Sequence, residues 1–314
     1  MVNDLMQDVI DMHVHCYPDI SERKTDDIEL ARSAAEAGMG GIIIKSHLGS
    51  SVERAYLVQQ MVPDIRVFGG LSLNHPVGGL NPNAVDVYVQ LGAKEVWMPT
   101  FSAQAMLDAK SKTDPNAIEK IPNEILPEEP FQEDKSHWKG ENWPWSRNNS
   151  GISILNEKGK LFPEVGQILE IVAASETILS TGHLSIPETH ALIEAAHEMG
   201  VERLLVTHPE YMMPMSTEDQ IALAKKGVFF ERCYICATKL SRFLGPNMSM
   251  DTLVNNIKSV GVSSTVLATD YGQPVNDHPV NGMMEFLEKL HKVGFSESEI
   301  GLMAVDNPRA LLGI

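Results

Sequence analysis

Imidazole and carboxylate side chains recur in this sequence at the ends of short apolar segments. They are His13, His15, His47, His75, His183, His208 and Asp270. Clustered neutral imidazoles with one carboxylate suit zinc, manganese or iron, whereas calcium and magnesium prefer oxygen ligands. The residue types therefore predict a divalent metal site, with zinc foremost and one or two ions bound, provided that the fold brings these side chains together.

His13 and His15 form the strongest local signal, because they stand two residues apart in Asp11-Met-His-Val-His15. Alternate side chains of a strand point to the same side, so both imidazoles can reach one ion. Asp11 shares that side one step deeper, and we expect it to orient a ligand through a hydrogen bond. A single histidine at a strand end is usually a satisfied polar residue, so the prediction depends on the whole set.

A repeated strand–helix pattern must position these residues. The predicted strands are residues 8–14, 41–45, 65–73, 94–99, 176–182, 202–207, 227–233 and 264–269. Helical patterns over 26–38, 187–200 and 217–227 end at glycine, and Ser216 is the expected N-cap of the last. Eight such units predict an α/β fold, a single (β/α)8 barrel over residues 1–314, in which the strand ends meet at one rim. A doubly wound sheet is the alternative, but it lacks its usual glycine-rich nucleotide motifs here.

Residues 101–162 interrupt this pattern after the fourth strand. The segment is rich in proline and holds three of the four tryptophans, of which Trp143 is a candidate substrate contact. Residues 152–161 predict a hairpin with a Lys-Gly turn. On a barrel this insertion leaves from the catalytic rim, so we expect a lid or a subunit contact. Its apolar surface favours a homodimer.

Composition narrows the class of partner. The chain has 314 residues and a formal charge of −17, with 42 acidic and 25 basic residues. This balance argues against nucleic acid and anionic membranes as partners and leaves a small molecule. No apolar run is long enough to span a bilayer, and the N-terminus lacks the pattern of a secretory signal. Three cysteines without paired CxxC motifs indicate a reduced, cytoplasmic protein.

Four segments resemble the amidohydrolase superfamily of metal-dependent TIM-barrel hydrolases. They are Asp11-Met-His-Val-His15, Ser180-Thr-Gly-His183, Val206-Thr-His208 and Ala268-Thr-Asp270, and the ending Asn307-Pro-Arg-Ala-Leu-Leu-Gly313 is similar to one common in that group. The resemblance implies metal ligation by His13, His15, His183, His208 and Asp270. It also implies that Asp270 moves the proton of the attacking water, while His208 binds a second metal or polarises the scissile carbonyl.

The fourth strand departs from that family. Many two-metal members carry a carboxylated lysine or a glutamate at its end, whereas Glu95 stands at its start here. The segment Gly41-Ile-Ile-Ile-Lys45-Ser-His47 resembles the second motif of PHP-type phosphoesterases, with Lys45 near the position of their aspartate. We expect Lys45 to bridge metals as a carbamate or to bind an anionic substrate group. His47 and His75 are predicted substrate contacts.

The leading hypothesis is a metal-dependent hydrolase that uses a metal-activated water on an amide, cyclic amide or ester/lactone of a small molecule. The alternatives are a PHP-type phosphoesterase, a metal-dependent decarboxylase or other lyase, and a non-catalytic metal-binding module. Cys233 shares one side of the seventh strand with Glu231, and we expect the thiol to be a core residue rather than a nucleophile.

Overall fold

The chain folds as a (β/α)8 barrel, as predicted. The computed structural model describes residues 5–111, 150–211, 213–238 and 249–314. The strands are β1 (Ile10–Val14), β2 (Gly41–Ile44), β3 (Arg66–Ser72), β4 (Glu95–Trp97), β5 (Ile178–Ser180), β6 (Leu204–Val206), β7 (Phe229–Cys233) and β8 (Thr265–Ala268). Each pairs in parallel with the next, from β1 to β8. Hydrogen bonds of 2.8 Å from the Asp270 amide to the His13 carbonyl, and from the His15 amide to the Tyr271 carbonyl, close the ring between β8 and β1.

Helices cover the outside of this ring. The α-helices of the described part are α1 (Asp27–Glu36), α2 (Val52–Met61), α3 (Pro82–Gln90), α4 (Gln104–Ser111), α5 (Pro163–Ala173), α6 (Ile186–Glu198), α7 (Thr217–Ala224), α8 (Met250–Val260), α9 (Pro279–Lys292), α10 (Glu297–Gly301) and α11 (Asn307–Leu312). Ser216 caps α7 by accepting a hydrogen bond from the Asp219 amide, as predicted. None of these helices combines the length and the apolar composition needed to cross a bilayer.

All eight predicted strands are present, and each is shorter than predicted. β5 is the clearest case, since the apolar pattern covers 176–182 but only Ile178–Ser180 join the sheet. Apolar residues next to a strand are buried under the helices without adding to the hydrogen-bonded ladder, so hydrophobicity overestimates strand length. The side chains that follow the strands therefore leave the sheet early and are free to turn into the barrel mouth.

The insertion is described only at its ends. Residues 112–149 lie outside the described residues, and Trp143 with them, so the lid and the subunit contact stay predictions. The expected hairpin over 152–161 is present in a short form, with an antiparallel bridge between Leu155 and Leu161 and a hydrogen bond of 2.8 Å from the Asn156 amide to the Lys160 carbonyl. Gly159 of the predicted Lys-Gly turn has a φ of 70°. In addition, Ile152 pairs in parallel with Ala103, and Glu188 of α6 accepts hydrogen bonds from the Ile154 amide and the Ser153 hydroxyl. This arrangement fastens the returning chain to the barrel rim.

The interior of the barrel is apolar only in part. Strands buried on both sides supply two apolar clusters, one around β1, β2 and β8 and another around β3 to β6. Within the ring, however, Lys45, Glu95 and Glu231 are all at most 1% exposed. Charged groups are rarely buried so fully unless they are paired or bind a ligand. This polar layer lies directly beneath the histidines at the mouth.

Candidate metal centre

The ends of β1 and β8 bring three buried donor atoms together. His13 Nε2 and His15 Nε2 lie 3.2 Å apart, and Asp270 Oδ1 lies 3.2 Å from the former and 3.1 Å from the latter. The period of two along β1 puts both imidazoles on one side of the strand. The three atoms thus form a nearly equilateral triangle at the mouth of the barrel.

The tautomers of the two imidazoles follow from their other ring nitrogens. His13 Nδ1 lies 3.0 Å from Glu231 Oε2, and His15 Nδ1 lies 3.0 Å from the Lys45 carbonyl oxygen. Both partners are acceptors, so each ring carries its proton on Nδ1 and leaves a lone pair on Nε2. Burial lowers the pKa of His13 and of His15 to about 3, so both rings are neutral at pH 7.

Asp270 completes an arrangement that requires a cation. Burial alone would raise the pKa of its carboxyl, but the adjacent His13 and the hydrogen bond with His15 outweigh burial, so the pKa lies below its ordinary value. Two imidazole nitrogens and one carboxylate oxygen therefore face each other, an arrangement that is unfavourable unless a proton or a metal ion lies between them. Donors bound to one ion at about 2.1 Å in tetrahedral geometry lie roughly 3.4 Å apart. The observed spacing fits a divalent metal after a small adjustment.

A second imidazole pair lies on the opposite side of the ring, after β5 and β6. His183 follows β5 and His208 follows β6, and their Nε2 atoms are 3.2 Å apart. Burial lowers the pKa of His208 to about 4 and that of His183 below its ordinary value. Their Nδ1 atoms have no hydrogen-bond partner within the described ranges. The ring of His208 stacks on that of His13 at a centroid distance of 6.3 Å, so the two pairs share one site.

The predicted substrate contacts divide between the site and its surroundings. His47 stacks on His15 at 4.8 Å between ring centroids, and its Nδ1 lies 2.9 Å from Thr100 Oγ1. His75 is half-buried in a short 3-10 turn, where its Nε2 contacts the Ser150 carbonyl at 2.9 Å. No contact described for His75 joins it to the histidine cluster. Trp143 falls in the part of the chain that is not described.

Lys45 extends into the polar layer below the imidazoles. Its Nζ lies 5.4 Å from the ring centroid of Trp97, the last residue of β4, and finds no hydrogen-bond partner among residues 5–111, 150–211, 213–238 and 249–314. One oxygen each of Glu95 and Glu231 is likewise unpartnered there. Burial raises the pKa of both carboxyls, that of Glu231 to about 7. Glu95 contacts Ser180 on β5, below the cluster.

Glu231 has the orienting role that the sequence suggested for Asp11. The prediction for Asp11 was wrong, because its carboxylate accepts from the backbone amides of His13 and Thr269 and from the Thr269 hydroxyl. It therefore joins β1 to β8 rather than holding an imidazole. The sequence feature that could have predicted this role is a glutamate on the inward side of β7. Cys233, two residues on, lies 3.9 Å from His13 Nδ1, and burial raises the pKa of its thiol.

The backbone is strained where the site residues leave their strands. His208 and Asp270 have positive φ angles of 25° and 53°, which are uncommon for residues with a Cβ atom and are found at functional sites. Two residues beyond Asp270, Gly272 has a φ of 134°, and a Cβ there would lie 1.9 Å from the His15 carbonyl oxygen. The β8 loop thus packs directly against the end of β1, which fixes Asp270 beside the two imidazoles.

A cleft opens beside the second imidazole pair. Together with solvent at its mouth it has a volume of about 280 Å³, and it is bordered by His183 and His208. Its other walls include Tyr211, Met213 and Met215. The two methionines make this wall apolar. An apolar group of a substrate can enter here next to the imidazoles.

Comparison with solved structures shows barrels of the same fold. An amidohydrolase from Pseudomonas aeruginosa aligns with a TM-score of 0.61 over 99% of this chain and 98% of its own, at 11% identity. The probable dipeptidase PvdM from the same organism aligns at 0.53, 12% identity, and 99% and 96% coverage. An organophosphorus hydrolase from Deinococcus radiodurans aligns at 0.52, 12% identity, and 98% and 94% coverage.

Comparison by sequence gives one family. Residues 8–231 match the profile of a family described as a family of unknown function, DUF6282. No curated protein matches the chain. The matched range includes the four histidines of the two imidazole pairs and ends at Glu231.

Proposed function

This chain belongs to the DUF6282 family, and we propose that it is a metal-dependent hydrolase acting on an amide, cyclic amide or ester/lactone of a small molecule. One observation carries the proposal: two imidazole lone pairs and a carboxylate oxygen face each other, buried, at 3.1–3.2 Å. The fold shared with an amidohydrolase and a probable dipeptidase supports the same class.

His13, His15 and Asp270 would hold one divalent ion. His183 and His208 would complete its shell or hold a second ion beside it. Nitrogen donors with a single carboxylate favour zinc, and manganese or iron fit the same donor set. When bound, such an ion lowers the pKa of a coordinated water and withdraws electrons from a carbonyl oxygen.

Asp270 is the residue we assign to proton transfer. Its pKa lies below the ordinary value, so it is ionised at pH 7, and only its Oδ1 is engaged with the two imidazoles. The second oxygen can take a proton from the attacking water and deliver it to the leaving group. His208 borders the cleft, where it can polarise the scissile carbonyl if it does not serve as a ligand.

We propose two alternative roles for Lys45, and a labelling experiment distinguishes them. As an amine it would bind an anionic group of the substrate. With carbon dioxide, its nitrogen would form a new N–C bond and release a proton, which gives a carbamate able to bridge two ions. Isotope-labelled bicarbonate followed by NMR distinguishes them, since only the carbamate gives a labelled carbonyl signal that disappears in Lys45→Met.

Substrate contacts beyond the metal centre are assigned by position. The cleft with Met213 and Met215 would take an apolar substituent, and His47 would contact the substrate from the opposite side. His75 and Trp143 stay proposed contacts that would depend on the insertion. We also propose that residues 1–314 form a single domain with an inserted lid at 101–162, and that a homodimer forms through that insertion.

Metal reconstitution with matched variants tests the function. We expect purified protein to bind at least one zinc, manganese or iron ion and to hydrolyse members of an amide and lactone panel. His13→Ala with His15→Ala should remove both properties. His190→Ala with His197→Ala is the control, since both of these histidines lie on α6. Activity that survives the first double change would reject the site, and turnover of phosphate esters alone would favour the phosphoesterase instead.

A further inference from the structure

A buried hydrogen-bond network lies behind His47, where the chain leaves β2, β3 and β4. It contains Asn74, which follows β3, and Thr100, which follows β4. Both residues are at most 1% exposed. Buried polar groups find their partners within the protein, so the protons of this network can be assigned from its hydrogen bonds.

The side-chain amide of Asn74 fixes the direction of the first bonds. Its Oδ1 accepts from the backbone amides of Thr100, at 2.9 Å, and of Ser102, at 3.0 Å, and these groups can only donate. Its Nδ2 therefore donates, to the His47 carbonyl oxygen at 3.1 Å and to Thr100 Oγ1 at 2.7 Å. The Thr100 hydroxyl thus accepts one proton from Asn74 and needs an acceptor for its own.

His47 Nδ1 is that acceptor, since it lies 2.9 Å from Thr100 Oγ1. The hydrogen bonds of the described residues offer the hydroxyl proton no other place. Nδ1 therefore keeps its lone pair, and the single proton of the ring is on Nε2. His13 and His15 are the reverse, because their Nδ1 atoms face acceptors and their Nε2 atoms present lone pairs.

The Nε2–H group of His47 belongs to a ring that stands beside both imidazole pairs. The ring centroid of His47 lies 4.8 Å from that of His15 and 6.4 Å from that of His183. In the part of the chain that is described, Nε2 has no hydrogen-bond partner, yet it is not enclosed as Nδ1 of His183 and of His208 are. An accessible N–H donor, anchored from behind at a metal centre, suits an oxygen that gains negative charge.

We propose that His47 donates a hydrogen bond from Nε2 to the substrate oxygen that becomes negatively charged as water adds, and that Thr100 and Asn74 are positioning residues that hold this tautomer. The proposal rests on the proposed function and adds a donor to the same site. His47 keeps its proton throughout, while Asp270 carries the proton of the water to the leaving group. A metal ligand needs a lone pair on Nε2, so this tautomer keeps His47 out of the metal shell.

Nitrogen-15 NMR on histidine-labelled, zinc-loaded protein tests the tautomer without a substrate. We expect the His47 signals, assigned by their loss in His47→Gln, to show the proton on Nε2. Thr100→Val removes the hydroxyl and keeps the shape, so the ring should shift toward the form protonated on Nδ1, whereas Thr100→Ser should keep the wild-type form. Thr177→Val is the matched control, since Thr177 is also buried and its hydroxyl donates to the Ala93 carbonyl, before β4 and β5 begin. A proton on Nδ1 in the wild type would overturn the proposal.

Kinetics on the members of the amide and lactone panel that turn over tests the donor itself. His47→Leu should lower kcat about 100- to 1,000-fold, as for the loss of one oxyanion donor, and keep the metal content of the wild type. His47→Gln should restore part of the loss, because its amide N–H can replace Nε2–H. Thr100→Val should lower kcat about 2- to 10-fold with KM unchanged.

Two failures can be told apart. Equal kcat in His47→Leu and the wild type, or loss of metal in His47→Leu, would overturn the role of His47 as a donor and leave the hydrolase intact. A wild type that binds no metal and turns over no member of the panel would instead reject the proposed function.

Discussion

Replacing Glu231 with glutamine should weaken metal binding and at the same time stabilise the metal-free protein. Glu231 Oε2 accepts the Nδ1 proton of His13 at 3.0 Å, so the carboxylate fixes the tautomer and makes Nε2 a better donor. Glutamine has the same shape and can still accept that proton, but it carries no charge. The substitution therefore changes the electrostatics of the contact and little else.

The two effects have opposite signs and can be sized. Loss of a charged partner behind a metal-binding histidine weakens metal affinity about 10- to 100-fold, or roughly 1.4–2.7 kcal/mol. In the metal-free protein, burial raises the pKa of Glu231 to about 7 from 4.5. A carboxyl whose folded-state pKa is raised destabilises the fold once it ionises, so wild type should lose stability as the pH rises from about 5 through 7. Glu231→Gln carries no ionisable group at this position, so the variant should not show this loss of stability with pH.

Two measurements on each variant check the reasoning. Competition with a chelator gives the zinc affinity, and thermal unfolding at pH 8 in excess chelator gives the stability of the metal-free protein. Glu188→Gln is the matched control, because Glu188 is also buried but, among the residues that the structure describes, its carboxylate bonds only to Ser153, Ile154 and Ser185. The Glu188→Gln variant should have a lower stability and the zinc affinity of the wild type. If Glu231→Gln binds zinc as tightly as the wild type, Glu231 does not set the donor strength of His13.

Three further perturbations address the proton carrier, the backbone and the metal. Asp270→Asn should keep most of the metal, since asparagine tolerates the φ of 53°, while kcat falls about 100- to 10,000-fold. Gly272→Ala should destabilise the fold by about 3 kcal/mol or more in denaturant unfolding, because the new Cβ would meet the His15 carbonyl oxygen at 1.9 Å. Gly227→Ala, with positive φ but open space, should cost only about 1 kcal/mol. Chelation should lower Tm, and free zinc at about 100 times its Kd should restore roughly 2.7 kcal/mol of the free energy of unfolding. An unchanged Tm would contradict a metal bound to the native state.

The sequence predicts the strand ends well because short-range rules govern them. The period of two put His13 and His15 on one side of β1, and parallel pairing carried β8 back to β1, so that Asp270 meets both. Neither step needs knowledge of packing. The apolar pattern also located every strand, although it could not say where each ladder of hydrogen bonds stops.

Partners across the barrel could not be predicted in the same way. Whether His13 Nδ1 meets Asp11 or Glu231 depends on how β1 and β7 are placed about the barrel axis, which no local pattern records.

The polar layer beneath the imidazoles argues for function on energetic grounds. Lys45, Glu95 and Glu231 occupy barrel positions that branched apolar residues normally fill, and one polar atom of each has no hydrogen-bond partner in the part of the chain described. Each such atom costs about 1–3 kcal/mol relative to a satisfied one, and more where it is charged. Substitution by apolar residues of similar volume is often neutral or stabilising at buried ion pairs. Removal of one member alone leaves the other uncompensated, so we expect Lys45→Met together with Glu231→Gln, rather than Lys45→Met alone, to raise the stability of the metal-free barrel. A loss of stability in that double variant would identify Lys45 as a structural residue.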